Sequence, residues 1–227
     1  MTVTNQNAVE TGKSVRVEHG AKRIRAYLGG ELVADTTHPL LVWEHPRYPA
    51  YYFPAADVRL ELLQPQHYEA SSIETLRDTV TLEWDAMDAW FEEDEEVFVH
   101  ARDPYTRVDI LASSRHVRVE VDGATLAESV KPTLLFETGL PVRYYLPKTD
   151  VRMDLLTPGD RTSRCPYKGE AEYWSLRHGD RRPDIAWSYR TPLPESQKIA
   201  GLACFYNEKV DLYVDGQHIE RPRTQFS

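Results

Sequence analysis

Cys165-Pro166-Tyr167-Lys168-Gly169 is the segment whose residue types and spacing could do chemistry. A cysteine attacks as thiolate, and Arg164 and Lys168 put positive charge beside Cys165 in sequence, an arrangement that lowers a thiol pKa. Tyr167 and His178 are candidate proton carriers. A thiol-dependent enzyme would therefore use Cys165, Lys168 and Tyr167 on an electrophilic substrate. The competing reading makes Cys165 a buried small hydrophobe in a turn set by Pro166 and Gly169, with Lys168 positioned by that turn. Cys204, between Ala203 and Phe205, reads as core.

A second group of residues suits binding. Tyr145, Tyr167, Tyr173, Trp174, Trp187 and Tyr189 could wall a pocket for a flat or cationic small molecule, with Lys168, Glu137 and Arg152 as polar handles. Small β domains also fill their cores with such rings, so packing is the alternative. Asp150 and Asp154 could hold Mg²⁺ on one face, but Arg152 between them favours an ion-pair ladder, repeated at Asp57, Arg59 and Glu61. The histidines lack metal-ligand spacing, and His45 draws interest only through its neighbour Glu44. No Gly-rich phosphate cradle precedes a helix, and no Ser-His-Asp arrangement stands out. No metal and no cofactor is expected.

The elements that must position these residues come in two copies. Residues 24–65 align without a gap with residues 117–158, sharing Gly30 and Gly123, Glu44 and Glu137, Tyr52 and Tyr145, and Asp57-Val58-Arg59 and Asp150-Val151-Arg152. An internal repeat makes each copy one folding unit. The units expected are 14–112, degenerate, and 115–218, complete, forming a pseudo-symmetric pair, an intramolecular pseudo-dimer. Only the second copy continues into the Cys165–Gly169 motif.

Short apolar alternations dominate both units. Val117–Val121 and Ala124–Glu128 flank Asp122-Gly123, a strong hairpin signal, and Gly29-Gly30 occupies the same place in the first unit. Strands are expected at Leu40–Trp43 and Thr133–Phe136, at Tyr51–Phe53 and Tyr144–Leu146, and near Glu172–Leu176, Ile185–Tyr189 and Lys209–Val214. In the first unit Thr79–Trp84, Met87–Phe91 and Val97–His100 follow, and Arg107–Leu111 leads into the second. Asp57–Leu62 and Asp150–Leu155 read as extended, with each arginine between two carboxylates, or as a helical turn starting at the aspartate. Pro194-Glu195 starts one short helix, and a His178–Asp180 turn is expected. The fold class is mainly β, with few short helices.

A formal net charge of −9, a pI of about 5.4 and no basic stripe argue against nucleic-acid binding. Glu92–Glu96 reads as a solvated turn, or as a docking site for a partner. Two cysteines are too few for a disulfide framework and fit a cytoplasmic protein. Residues 1–13 read as frayed and carry no export signal, and no apolar run reaches the about eighteen residues that cross a membrane.

The second copy, through VDGATLAES, YYLPKTDVRMDLL, CPYKGEAEYWS, AWSYRTPLPE and FYNEKVDLYVDG, resembles the family described as domain of unknown function 427, which also carries a nucleotidyltransferase-like label. The first copy resembles tandem members in which the Cys-Pro-Tyr-Lys-Gly segment is missing from one unit. The resemblance implies compact β-rich units of the tent-like two-sheet type shared with cereblon's ligand-binding domain, here without that type's four zinc cysteines. It implies no established activity. The function expected is small-molecule binding in the second unit, with a thiol enzyme or a protein-interaction module as alternatives.

Overall fold

The computed structural model describes residues 15–106, 108–177 and 183–227; the expected frayed start and the His178–Asp180 turn lie outside them. The chain divides into two compact units, residues 1–103 and 104–227. Each is built from antiparallel sheets, and every helix among the described residues is a 3-10 turn, the longest being Pro194–Ile199.

In the first unit β1 (Arg16–His19), β4 (Leu40–His45), β5 (Tyr48–Pro54), β7 (Thr79–Leu82) and β6 (Tyr68–Ala70) make one sheet in that order; β3 (Glu31–Thr36), β2 (Ile24–Leu28), β8 (Ala89–Glu92) and β9 (Glu95–Val97) make the other. The second unit has a seven-stranded sheet. Its order is β10 (Val108–Ala112), β13 (Thr133–Glu137), β14 (Arg143–Leu146), β18 (Ala203–Phe205), β17 (Ala186–Tyr189), β16 (Gly169–Leu176) and β15 (Leu156–Cys165). Its four-stranded sheet runs β12 (Ala124–Ser129), β11 (Val117–Val121), β19 (Asp211–Val214), β20 (Gln217–Ile219). The order β1-β4-β5-β7-β6 matches β10-β13-β14-β18-β17, so the β15–β16 hairpin is what the second unit adds. β10, read from sequence as the way out of the first unit, pairs with β13 as β1 pairs with β4.

The hairpins form where sequence chemistry requires them. Gly29 and Gly30, and Asp122 and Gly123, all take positive φ, the conformation of a two-residue turn matched to strand twist. Valines at 117, 119 and 121 face inward at every second position of β11. They pack with Leu126, Leu212 and Val214 against Leu146, Trp174, Ala186 and Phe205 of the large sheet. At about 25 cal/mol per Å² of apolar surface removed from water, this inter-sheet layer is the main source of stability.

Asp57–Leu62 and Asp150–Leu155 are neither a strand nor a helical turn begun by the aspartate. Two 3-10 turns flank a single bridging residue, Val58 against Ala34 and Val151 against Ala127. The reason is local: a proline without an N–H precedes each first turn, and each aspartate accepts a hydroxyl hydrogen bond, Asp57 from Thr36 at 2.6 Å and Asp150 from Ser129 at 2.7 Å. The expected ladder is thus cut in half, and Arg152 pairs with Asp154 alone of the two, at 2.7 Å on the surface.

Candidate functional site

The Cys165–Gly169 motif is the tip of the β15–β16 hairpin. Cys165 pairs with Gly169 across a three-residue loop, and Gly169 sits at φ +92°. A side chain there would be strained by that backbone conformation, although the space beside Thr191, Pro192 and Leu193 would admit a Cβ at ordinary contact distance. The loop is pinned to the 3-10 turn after β17: the Ser196 hydroxyl donates to the Tyr167 carbonyl at 3.0 Å, and the Leu193 amide donates to the Lys168 carbonyl at 3.2 Å. This anchoring carries Lys168 inward. Its ammonium meets the Glu137 carboxylate at the end of β13, with only 11% and 10% of the two side chains exposed.

Register decides what surrounds that pair. Tyr145, Cys204, Trp187 and Tyr173 are directly opposite one another across β14, β18, β17 and β16, so they form one row on one face. Tyr189, two residues beyond Trp187, shares that face, as does Arg143 two residues before Tyr145. Trp187 donates its indole N–H to the Tyr145 hydroxyl at 3.1 Å, and Tyr173 shares a 2.6 Å hydrogen bond with Ser163 of β15. Burial raises the Tyr145 and Tyr189 phenol pKa values well above the ordinary range, so both stay neutral donors.

The structure therefore brings together Glu137, Lys168, Tyr145, Tyr189, Trp187 and the half-buried Cys165. It does not bring Trp174 or Arg152 to them. Trp174 alternates with Tyr173 along β16 and points to the inter-sheet layer, while Arg152 is occupied by Asp154 outside. Sequence reasoning missed Arg143 and Glu208, which form a bidentate pair at 2.7 and 2.8 Å with 5% and 0% of their side chains exposed. Arg143 lies 5.6 Å from the Trp187 ring centre and 5.8 Å from that of Tyr206. No local signal marked them, because Glu208 lies between Asn207 and Lys209 in a polar stretch that reads as surface.

The charges proposed to activate Cys165 are engaged elsewhere. Arg164 alternates to the outside of β15 and pairs with Glu170 at 3.1 Å, and Lys168 faces Glu137. Cys204 is fully buried, which pushes its pKa up to about 12. In the folded protein iodoacetamide at neutral pH should modify Cys165 and leave Cys204 untouched until denaturant is added; mass spectrometry showing equal labelling would contradict this burial.

Among its described residues the first unit has no such site. Lacking the added hairpin, Glu44 takes a hydrogen bond from the Tyr52 hydroxyl at 3.1 Å, and His45 stacks on Tyr48. The acidic run is the β8–β9 turn and is largely neutralised from within. Buried Glu92 meets Lys22 and Tyr51, Asp94 meets Arg25 at 2.8 Å and Glu95 meets Arg102 at 3.8 Å. Among the described residues no cluster of three or more His, Cys, Asp or Glu could hold a metal ion, and no helix is long and apolar enough to cross a membrane.

Fold and site define a two-unit, antiparallel β protein in which one unit carries an extra hairpin and a buried, tyrosine-rich sheet face. The model of the family described as domain of unknown function (DUF427), NTP_transf_9, matches residues 16–73 and 109–216. The chain belongs to that family, as a tandem member whose two matches begin at β1 and at its counterpart β10. No curated protein matches the chain.

Proposed function

We propose that the second unit binds a small polar molecule at the tip of the β15–β16 hairpin, against the Lys168–Glu137 pair, Tyr189 and Trp187. Tyr189 is the observation that carries this reading. Tyr189 is 5% exposed as a residue, its hydroxyl makes no hydrogen bond among the described residues but keeps contact with solvent, and Cys165, Tyr173 and Glu137 lie within electrostatic reach of it. A ligand's polar group could take that hydroxyl over from solvent, a net gain of about 0.5–1.5 kcal/mol per hydrogen bond. Lys168 and Glu137 offer a donor and an acceptor of opposite charge side by side, suited to a ligand with both a carbonyl or hydroxyl oxygen and an N–H or O–H group. Tyr145 and Trp187 hold each other and form a rigid floor. The first unit, without the hairpin, serves as a structural partner. Two cysteines with no disulfide between them fit action in a reducing cytoplasm.

A thermal-shift screen of the full chain against small polar metabolites should find a stabilising compound whose affinity drops about tenfold in Tyr189→Phe, equivalent to about 1.4 kcal/mol. The unliganded melting temperature should stay put or rise, because the substitution removes only the unpaired hydroxyl. Identical ligand profiles for wild type and Tyr189→Phe would remove the proposal.

A further inference from the structure

On the opposite face of the same sheet, Trp174 stands among a second set of polar groups. Glu172 shares its side of β16 and pairs with Ser188 of β17, which pairs with Ala203 of β18, which pairs with Leu146 of β14. Two residues past Leu146 is Lys148, and its ammonium reaches back to 4.5 Å over the Trp174 ring. By register Ser188 therefore sits in the row between Lys148 and Trp174. Its side-chain oxygen is fully buried and has no hydrogen-bond partner. Among the described residues Lys148 has neither a hydrogen bond nor an ion pair, and the Trp174 indole N–H has no acceptor. Burial lowers the Lys148 pKa, as expected for an ammonium partly withdrawn from water without a bonded counter-ion. The nearby carboxylate, Glu172, is bonded to Arg190 at 2.8 Å.

Three donors of different kinds thus lie on one face with no hydrogen-bond acceptor of their own: an ammonium, a hydroxyl and an indole N–H. Buried hydroxyls in native proteins are almost always satisfied by protein, water or ligand. With Lys148 and Arg190 set against the single Glu172, the local balance favours a negatively charged occupant. We infer that Lys148, Ser188 and Trp174 form a subsite for a small oxyanion, the carboxylate or phosphate group of a small molecule. It is separate from the Lys168–Glu137 site, since the sheet lies between them.

The test uses the full chain labelled with ¹⁵N, with the Trp174 indole resonance identified by its loss in Trp174→Phe. Sodium acetate and sodium phosphate are titrated against sodium chloride at matched ionic strength. One of the two oxyanions should move that resonance saturably, and the tighter one tells carboxylate from phosphate. Ser188→Ala and Lys148→Met, which keep nearly the same volume, should each weaken the midpoint at least tenfold. A response no different from chloride, or a midpoint unchanged in both variants, would overturn the inference and leave Ser188 bonded to an internal water only. Tyr189→Phe should leave this titration unaltered, so it succeeds or fails independently of the site at the hairpin tip.

Discussion

Glu208→Ala should lower the unfolding free energy of the second unit by about 3–5 kcal/mol, the range for removing one partner of a buried ion pair. The guanidinium of Arg143 is forked onto Glu208, and almost nothing of either side chain touches solvent. Around them the Thr224 hydroxyl donates to the same carboxylate at 2.6 Å, and the rings of Trp187, Tyr206 and Phe226 lie 5.6–5.8 Å from the guanidinium carbon. Without Glu208 that charge loses its bonded counter-ion in a pocket walled by aromatic rings. Arg143→Met with Glu208→Leu should be far milder than Glu208→Ala alone, because apolar substitution of both partners removes the desolvation penalty along with the attraction. Urea denaturation reads the comparison, and a Glu208→Ala midpoint equal to wild type would refute it. Burial alone would raise the Glu208 pKa, but the hydrogen bonds from Arg143 and Thr224 outweigh it and hold the carboxyl below the ordinary range. Its folded pKa is thus lower than its unfolded value of about 4.3, so the unfolded chain takes up the proton first on acidification. The contribution is complete above about pH 4.3 and is lost as pH falls through the folded pKa. Glu208→Gln should flatten that acid limb.

Lys168→Ala is the second large effect, about 2–4 kcal/mol, smaller because a tenth of each side chain in this pair still touches water. The loss should come from stranding Glu137 rather than from the missing lysine stem. Adding Glu137→Gln to Lys168→Ala should therefore restore part of the stability, giving a coupling of about 1–3 kcal/mol in a double-mutant cycle. Additive losses would mean that the two side chains do not act as a pair. The same variant should abolish binding of any ligand found in the thermal-shift screen, since the hairpin tip would lose both its inward anchor and its donor.

Several elements were legible in the residues themselves. Asp122-Gly123 and Gly29-Gly30 announced their hairpins because few other residues accept positive φ at two successive positions. Alternation in Val117–Val121 marked both the strand and its buried face. By contrast, no strand was expected at β15, which contains Pro158 and Gly159 and is nonetheless an edge strand with a register shift between Pro158 and Thr162. An edge position tolerates the missing proline N–H, and edge position is a property of sheet order, not of local sequence.

The candidate site divides along the same line. That Cys165–Gly169 is a tight turn with Lys168 placed by it, that Cys204 is core, and that the chain is a tandem member of a β-rich family all follow from local residue types and from the duplication. Which residues share a face could come only from the folded sheet. Tyr145, Cys204, Trp187 and Tyr173 fall into one row through three successive strand registers, and a slip of one residue in any of them would reverse the set. Trp174 went to the opposite face by that two-residue period, and Arg143 found Glu208 only because non-local pairing folded distant segments against the same aromatic surface.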